Sequence, residues 1–500
     1  MSETAGPPDE PWADHLETHI SSVFFAGAYA YKQLKPMTTA FLDYGTTERR
    51  GVALADELAL NRRIAPDVYL GCVPITADDV TIDHLMVMRR LPHRRRLSAL
   101  VGTPEFEDQL RAVARTVAAF HAALDADDEA AALATVDAER SRWHANLTEL
   151  ADLVHLGCID RDEIDTVGRL SDGYLAGRSR LFEERIASGL ARDGHGDLLA
   201  ADIYCLDDGP RILDCLAFDS ALRKGDVLAD IAFLVMDIER LAGPRPAQRL
   251  LRWYQEFSNE HHPASLAHLH IAYRALVRAK VTMLRYAQTD SSDDRLDARN
   301  HVAQCLDHLR RARVRLVLVG GGPGTGKSTV AEAIGATLEW PVLASDELRK
   351  EQAGIDATVH ALARPDEGLY TPDRTEATYG ALVDRAAQLL ARGQSVVLDA
   401  SWSRDVHRDA ARRAAAAGHA QIIEIETSLD PAIAKERIVR RLSSPWTVSD
   451  ATPEIVDHMA TLHDPWPEAI PVATDAPLAE TRAAAVRAAL ALGDDTAAHR

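Results

Sequence analysis

Residues 315–329 read RLVLVGGGPGTGKST, and this stretch decides the fold of the second half of the chain. RLVLV predicts a short buried strand, and the pattern G-x-x-x-x-G-K-[ST] follows it from Gly321 to Ser328. Glycines let such a loop wrap closely, so that its backbone N–H groups point at phosphate oxygens. A helix is predicted from Ser328 to Leu338, and strand, loop and helix in this order predict a site for a nucleoside triphosphate with magnesium.

Residues 321–329, called the P-loop below, supply most of the predicted nucleotide contacts. Lys327 is expected to reach the β- and γ-phosphates and to act in catalysis, while the Ser328 hydroxyl ligates magnesium. Asp399 ends the apolar strand SVVLD, where a carboxylate would complete the magnesium shell; the alternative is a carboxylate that only caps the strand. The predicted nucleotide-binding residues of the loop are Gly321, Gly322, Pro323, Gly324, Thr325, Gly326, Lys327, Ser328 and Thr329.

Two further segments carry charged side chains that belong with this loop. Ligands of open α/β sheets lie beyond the carboxyl ends of the strands. In LASDELRK, Asp346 is therefore predicted to take the proton of an acceptor hydroxyl, and Arg349 to bind an anionic group of the substrate. The alternative is a helix start capped by Ser345. In KERIVRRL, Arg437 and Arg441 are predicted to close over the phosphates, or alternatively to lie on a solvated helix face.

GGPGTGKST, SDELRK, VVLDASW and an arginine-bearing helix together resemble the small P-loop kinases. That group includes gluconate and shikimate kinases, chloramphenicol phosphotransferase and the kinase domain of polynucleotide kinase. The resemblance covers about residues 314–495, and SDELR narrows it to the polynucleotide-kinase-like branch. Strands predicted at 341–345, 395–400 and 420–426 alternate with helices, which also predicts a parallel α/β sheet.

In the first half of the chain, HGDLLAAD from His195 carries a second set of candidate residues. A loop aspartate followed five residues later by a metal-binding residue is typical of the catalytic loop in kinase-like folds. Asp197 is thus predicted to orient and deprotonate an acceptor hydroxyl, and Asp202 to bind magnesium. RILDCLAFD places Asp214 at a second metal-binding position, reached through a strand, a turn and a strand. His195 is counted with the catalytic residues, because it is expected to brace this loop through hydrogen bonds.

A hairpin is predicted further upstream, over ISSVFFAGAYAYK (20–32), with its turn at Gly27. Lys32 lies on the second strand, where a lysine would pair with the α- and β-phosphates. Glu57, on a helix predicted over 45–64, is expected to hold this lysine, and Glu48 is the competing candidate.

This half resembles the aminoglycoside phosphotransferase and choline kinase family over about residues 15–287, through AYK, MVMRRLP, VAAFHAAL, HGDLLAAD and ILDCLAFD. The resemblance implies a small β-rich lobe and a helical lobe, with backbone groups near Met88 to Arg90 holding the adenine. Two features depart from the family. Asp202 stands where asparagine is usual, and SSVFFAGAY contains Gly27 but no GxGxxG. In this order the two halves resemble bacterial bifunctional phosphotransferase/ATP-binding fusion proteins.

The predicted fold is an α+β protein-kinase-like domain followed by an α/β P-loop domain with a parallel sheet. The predicted layout is a disordered tail over 1–14, a kinase-like domain over 15–290, a linker helix over 291–313 and a P-loop domain over 314–500. QTDSSDD (288–294) is the clearest linker signal. The long helical region after residue 105 is expected to break near Gly157 and Gly173.

Composition sets the class of protein. The chain has 500 residues, which is too many for one ordinary hydrophobic core and predicts more than one domain. Its contents of 46% hydrophobic and 26% charged residues are usual for a globular protein. A net charge of −20 argues against a general binder of nucleic acid or of anionic membranes. Scattered cysteines, a polar N-terminus and short apolar runs predict a cytoplasmic protein without a signal peptide or membrane span.

The leading hypothesis is an ATP-dependent phosphotransferase with two ATP–Mg²⁺ sites, each acting on the hydroxyl group of a small-molecule acceptor. In the alternative, only the P-loop domain turns over ATP, and the first half is a pseudokinase or a ligand-sensing module. A polynucleotide kinase activity of the P-loop domain is a third hypothesis, which SDELR favours and the acidic balance opposes. The sequence specifies neither acceptor and no oligomeric state.

Overall fold

The computed structural model describes residues 10–18, 20–38, 43–355, 371–442 and 463–491, and the chain divides into two compact units. Unit 1 comprises Met1–Gly168, Phe182–His262 and Ala267–Leu309. Unit 2 comprises Arg169–Leu181, Pro263–Leu266 and Arg310–Arg500. The predicted domain boundaries stay a prediction, and most of the tail predicted over 1–14 lies outside the described residues.

Unit 1 begins with a five-stranded antiparallel sheet in the order β1-β2-β3-β5-β4. Its strands are β1 (Ala13–Glu17), β2 (Ser21–Ala26), β3 (Tyr29–Leu34), β4 (Tyr69–Ala77) and β5 (Val80–Arg89). Helix α1 (Thr47–Asn61) packs on β4 and β5 over a core that includes Leu34, Leu54 and Met86. The predicted hairpin and helix are thereby confirmed. β1 starts before the expected boundary at residue 15, because its backbone pairs along β2.

A mainly helical region follows the sheet. Its helices are α2 (Phe106–Ala123), α3 (Asp128–Leu133), α4 (Val136–Asp152), α5 (Arg161–Ala176), α6 (Ser179–Ala187), α7 (Val227–Ala242), α8 (Pro244–Ser258), α9 (Ala264–Thr289) and α10 (Ser292–Arg311). Two short antiparallel pairs lie between α6 and α7: β6 (Ala191–Asp193) with β9 (Lys224–Asp226), and β7 (Ile203–Leu206) with β8 (Gly209–Ile212).

Two details of this region test the sequence-based predictions. The chain turns at Gly157, where φ is +70°, as expected. The break predicted near Gly173 is wrong, because α5 continues through this residue to Ala176. A single glycine inside a helix costs only about 1 kcal/mol, which packing of the helix offsets. None of the helices within the described ranges is long and apolar enough to cross a membrane.

Unit 2 contains a parallel five-stranded sheet in the order β11-β12-β10-β13-β14. Its strands are β10 (Arg315–Gly320), β11 (Val342–Ala344), β12 (Val396–Asp399), β13 (Gln421–Ser428) and β14 (Ile470–Ala473). Its helices are α11 (Lys327–Leu338), α12 (Ser345–Gln352), α13 (Pro372–Ala391), α14 (Asp405–Ala417), α15 (Pro431–Leu442) and α16 (Leu478–Ala489). The central strand β10 is buried throughout, as expected for a parallel strand covered on both faces. The predicted fold class is confirmed in both halves.

Candidate active sites

Lys32 on β3 lies between two carboxylates in unit 1. Its ammonium is 2.6 Å from the Glu57 carboxylate on α1 and 3.3 Å from the Asp214 carboxylate after β8. Burial disfavours a charged lysine, but these two carboxylates outweigh that cost and raise the pKa of Lys32. Glu48, the competing candidate, is exposed in the first turn of α1. Glu57 is therefore the partner of the strand lysine.

The loop that carries Asp197 is held by Asp230 on α7, which was not predicted from the sequence. The Asp230 carboxylate accepts hydrogen bonds from the N–H groups of His195 at 2.7 Å and Gly196 at 2.8 Å. It also lies 3.0 Å from Nε2 of His121, which is in VAAFHAAL on α2. Burial disfavours the charge of this carboxylate, but these hydrogen bonds and the neighbouring imidazoles keep the pKa of Asp230 well below its usual range.

A second buried carboxylate of α7 holds the far end of the same loop. Asp237 accepts a hydrogen bond from the Ala200 N–H at 2.9 Å. Asp230 and Asp237 are separated by two helical turns, so both lie on the helix face that meets the loop. A local signal for them exists in VLADIAFLVMDIE: aspartates inside so apolar a helix are buried and need partners.

His195 is buried and bonded to the backbone through its ring. Its Nε2 is 3.1 Å from the Leu213 carbonyl oxygen, and its Nδ1 accepts the Asp197 N–H at 3.4 Å. Burial lowers the pKa of the His195 imidazole. A neutral ring with both nitrogens engaged can hold the loop against β8, and its catalytic role stays a prediction.

The glycines beside His195 allow this close packing. A Cβ atom at Gly194 would lie 2.5 Å from the Asp230 carboxylate, and one at Gly196 would lie 2.7 Å from the Arg223 side chain. Gly196 also has a φ of +87°, which other residues rarely adopt.

The three predicted aspartates of unit 1 lie close enough to affect one another. Asp202 directly precedes β7, and the β7–β8 hairpin returns the chain so that the Leu213 N–H donates to the Asp202 carbonyl at 3.0 Å. Burial raises the pKa of Asp197 to about 6 and that of Asp202 to about 7, and Asp214 adds to both shifts. The ammonium of Lys32 is the main cause that lowers the pKa of Asp214.

These aspartates suit a hard cation bound together with phosphate. In the part of the chain that the structure describes, no three His, Cys, Asp or Glu side chains are assembled as a metal site. Magnesium is usually held by one or two carboxylates, with phosphate oxygens and water completing its shell. Asp202 and Asp214 are predicted to be such a pair, and their mutual repulsion is what a divalent cation would relieve.

The segment predicted to hold adenine is tied into the sheet. Met88 pairs with Ala30 on β3, while the Arg89 and Arg90 N–H groups donate to the Val68 and Ala28 carbonyl oxygens, both at 2.8 Å. These two amides are thus engaged within the protein. The adenine contacts predicted at 88–90 would therefore have to come from the other backbone groups of this segment.

The start of the described chain lies against the same region. The Gly27 N–H, at the turn of the β2–β3 hairpin, donates to the Trp12 carbonyl oxygen at 2.7 Å. The Arg90 guanidinium donates to Pro11 O at 2.8 Å and to the Glu10 carboxylate at 3.1 Å. The hairpin turn, where a glycine-rich loop is usual in kinases, is therefore held by residues 10–12.

The P-loop of unit 2 has the backbone that its glycines predict. Gly321, Gly324 and Gly326 have φ values of +129°, +78° and +93°. A Cβ atom at Gly324 would lie 2.6 Å from the Ala434 carbonyl oxygen, so no larger residue fits without a shift of α15. Helix α11 begins at Lys327 with Gly326 as its N-cap residue, which points its first N–H groups into the loop.

Asp399 lies beside the P-loop at the end of β12. Its strand position pairs with Val319 on β10, and its side chain is buried. Burial raises the pKa of the Asp399 carboxyl, while Lys327 and Ser328 oppose this shift. The two predicted magnesium ligands of unit 2, Ser328 and Asp399, therefore meet, and Lys327 is beside them.

Asp346 and Arg349, the predicted substrate residues, form a pair on α12. Their carboxylate and guanidinium are 3.3 Å apart, and Asp346 is near enough to Asp399 to raise its pKa. The capping alternative is wrong, because Ala344 is the N-cap residue and Ser345 is the first helical residue. Asp346 thus lies on the P-loop side of its helix.

The predicted lid arginines lie on α15. Arg437 donates to the Thr474 carbonyl oxygen at 2.7 Å, and the Thr474 hydroxyl donates to the Thr325 carbonyl oxygen of the P-loop at 2.6 Å. Arg437 is therefore linked to the loop through one residue. The side chain of Arg441 lies outside the described residues.

Known proteins are similar to this chain along both of its halves. A family profile described as an AAA domain matches residues 316–465. Over 466 residues the chain is 38% identical to an uncharacterised protein of Mycobacterium tuberculosis, with 92% of this chain and 91% of that protein covered. A solved choline/ethanolamine kinase family protein from Mesorhizobium loti covers 62% of this chain and 97% of its own, with 15% identity and a TM-score of 0.37. A gluconokinase from Sinorhizobium meliloti covers 35% and 91%, with 21% identity and a TM-score of 0.26.

Proposed function

We propose a function for this chain from the family to which it belongs. Together with the mycobacterial relative, it is one of the bacterial proteins that join an aminoglycoside phosphotransferase-like domain to a P-loop kinase domain. Its activity is ATP-dependent phosphoryl transfer to hydroxyl groups of small-molecule acceptors. Two separate ATP–Mg²⁺ sites carry it, one in each unit. The mycobacterial relative is similar to this chain along both halves, which supports the proposal that both units contribute to the function of one protein.

The observation that carries the proposal for unit 1 is the position of Lys32. Its ammonium contacts Glu57, which forms the lysine–glutamate ion pair that kinase-like catalysis needs, and it also lies beside Asp214, the proposed magnesium ligand. Lys32 would bind the α- and β-phosphates, and Asp202 and Asp214 would hold magnesium, which neutralises charge on the phosphates. Asp202 is a hard oxygen ligand like the usual asparagine, with one more negative charge.

Asp197 is the proposed base of unit 1. The acceptor oxygen forms a bond to the γ-phosphorus as the bond from that phosphorus to the β–γ bridging oxygen breaks. The hydroxyl proton passes to Asp197, and ADP leaves. Asp230 and His195 act as positioning residues, because they bind the backbone N–H groups of residues 195 to 197.

In unit 2 the P-loop is the proposed phosphate site. The N–H groups of the loop and of α11 would bind the phosphates, and Lys327 would offset the charge that develops on them. Ser328 and Asp399 would hold magnesium. Asp346 is the proposed acceptor-side base, and Arg349, paired with it, would bind an anionic group of the acceptor.

The proposal is tested by separating the two activities in the full chain. Lys327→Ala and Asp197→Ala are each assayed with radiolabelled ATP against sugars, aminoglycosides, amino alcohols, nucleosides and a 5′-hydroxyl oligonucleotide. Each substitution is expected to abolish transfer to one set of acceptors only, and the double variant to abolish both. Arg482→Ala and Asp165→Asn, which remove the same charges at exposed helical positions, serve as controls.

The remaining outcomes separate the alternatives. If Lys327→Ala removes all turnover and Asp197→Ala none, unit 1 is a pseudokinase or a ligand-sensing module. Label on the oligonucleotide that disappears in Lys327→Ala would instead make unit 2 a polynucleotide kinase.

A further inference from the structure

Two arginines of α9 face the catalytic loop of unit 1. Arg274 and Arg278 are one helical turn apart and therefore lie on the same face of the helix. Arg274 donates through Nε to the Ala229 carbonyl oxygen at 3.0 Å, and its Nη1 is 3.5 Å from the carbonyl oxygen of Gly196, the residue before Asp197. These contacts place this face of α9 beside the proposed base.

Arg278 has a different environment from Arg274. Its side chain is half-buried, and within the described residues it makes no hydrogen bond or ion pair. Its charge nevertheless reaches Asp197: burial raises the pKa of that carboxyl, and Arg278 is the strongest influence against the shift, ahead of Arg274. Arg278 lies one turn along from Arg274 on the helix face that meets the loop, so its guanidinium donors are on the side of the base and available to a ligand.

Two further arginines around this loop are paired with carboxylates, and Asp230 is held by hydrogen bonds. Arg240 lies 3.1 Å from Asp237 and 3.5 Å from Asp297. Arg223 lies 2.6 Å from Asp193. Asp230 is held by His121 and by the backbone of the loop.

Asp202 and Asp214 also lie near the proposed base, but Lys32 is paired with Asp214, and magnesium held by the two aspartates would offset their charge. The guanidinium groups of Arg274 and Arg278 are then left facing the carboxylate of Asp197. His301, near Arg278, does not add charge at neutral pH, because burial lowers its pKa to about 4. A cationic acceptor would be repelled by the guanidinium groups on this face. An oxyanion would accept two parallel hydrogen bonds from the planar guanidinium of Arg278.

We propose that the acceptor of unit 1 is an anionic hydroxylated small molecule, whose carboxylate or phosphate group is bound by Arg278 beside Asp197. An aminoglycoside or a choline-like amino alcohol would bring like charge to Arg278. Arg274 stabilises the same oxyanion at longer range and fixes the helix to the loop. This inference rests on the proposed kinase function of unit 1, and it names the class of acceptor.

The test uses four acceptors that differ mainly in charge: glucosamine, glucose, glucuronate and glucose 6-phosphate. The full chain carries Lys327→Ala, so that unit 1 alone is assayed for transfer from radiolabelled ATP. Label is expected on an anionic acceptor, and which one accepts it distinguishes a carboxylate from a phosphate. Arg278→Gln is expected to lower kcat/KM for that acceptor about 10- to 100-fold without changing KM for ATP.

Two further variants sharpen the assignment. Lys280→Gln removes the same charge from α9, but Lys280 pairs with Glu149 at 2.8 Å, so kcat/KM is expected to stay unchanged. Arg278→Lys keeps the charge and loses the planar fork, so it is expected to recover part of the activity lost in Arg278→Gln.

A binding assay separates this inference from the proposed function. Equilibrium dialysis with Mg–ADP measures how much of each radiolabelled acceptor the same variants retain. If an anionic acceptor is retained, lost in Arg278→Gln and never phosphorylated, the kinase function of unit 1 fails and the anionic site stands. Preferential retention of glucosamine, retention of neither anion, or anion binding that Arg278→Gln leaves intact would overturn the inference.

Discussion

The two proposed sites of this chain position their side chains and backbone groups in different ways. In unit 1, Lys32, Glu57, Asp197 and Asp214 come from distant parts of the sequence and are positioned by side-chain contacts. In unit 2, one run of residues forms the P-loop, and the φ values of its glycines set its shape. The first site thus depends on buried charges and on pH, and the second depends on space around the backbone.

The largest expected effect comes from removing the charge that holds the loop of unit 1. Asp230→Asn replaces one of the two acceptor oxygens by an NH2 group, so the N–H of either His195 or Gly196 loses its acceptor and faces a donor instead. Loss of a buried, multiply bonded carboxylate costs about 3 kcal/mol in the free energy of unfolding. Transfer at the site of unit 1 is expected to fall more than about 100-fold, since misplacement of a base by about 1 Å has that effect.

Denaturant titration and hydrogen exchange check this prediction. Amide exchange is expected to accelerate in residues 194–200, while transfer that depends on Lys327 stays at its normal rate. Asp165→Asn, at an exposed position of α5, is the matched control. Unchanged exchange in this loop would show that Asp230 does not position it, and the contrast between the two sites would be lost.

The same residue shows what the sequence could and could not predict. Lys32, Asp197, Asp202 and Asp214 follow local patterns, since each lies in a motif with a strand or a loop beside it. His121 and Asp230 lie 74 and 35 residues from His195, and only the fold brings them together. The apolar surroundings of Asp230 signal burial, but no local spacing identifies its partner.

The fold was predictable to a similar degree and for a similar reason. The P-loop sheet and the β2–β3 hairpin follow from apolar periodicity and glycine turns. β1 and β4 were not predicted: every residue of β1 is exposed, and only part of β4 is buried, so neither has a clear alternating pattern. Each pairs with the strand that follows it in sequence, β1 with β2 and β4 with β5, so this pairing rather than the pattern within either strand determines them.

The second effect tests the P-loop as a backbone site. Gly324→Ala combines a φ of +78° with a Cβ atom 2.6 Å from the Ala434 carbonyl oxygen. The left-handed conformation alone costs about 1 to 2 kcal/mol for a residue with a side chain, and the contact adds to it. Nucleotide binding at unit 2 is expected to be lost, with transfer by unit 1 unchanged.

Gly354→Ala supplies the matched control for this substitution. Its φ is +69°, but a Cβ atom there would meet no atom of the described residues within 4 Å, so only the conformational cost remains. Calorimetric titration with Mg–ATP is expected to show binding close to normal in Gly354→Ala. Normal binding in Gly324→Ala would mean that the loop tolerates a side chain and that close packing does not define this site.

The smallest effect distinguishes the two sites by pH. Burial and the charges of Asp214 and Asp197 raise the pKa of Asp202 to about 7 in the folded chain, against about 3.9 when unfolded. Between these values the folded state binds more protons, so the stability of unit 1 falls as pH rises from about 4 to 7. Asp202→Asn removes this penalty. The melting temperature of this variant is expected to exceed that of the unsubstituted chain by about 2 °C at pH 8 and to equal it at pH 4.

The gain in melting temperature is expected to vanish with Mg–ATP, because magnesium then relieves the same repulsion in the unsubstituted chain. Scanning calorimetry at both pH values checks this, with Asp165→Asn as the control; a gain of equal size at both pH values would contradict the pH-dependent character of the site in unit 1.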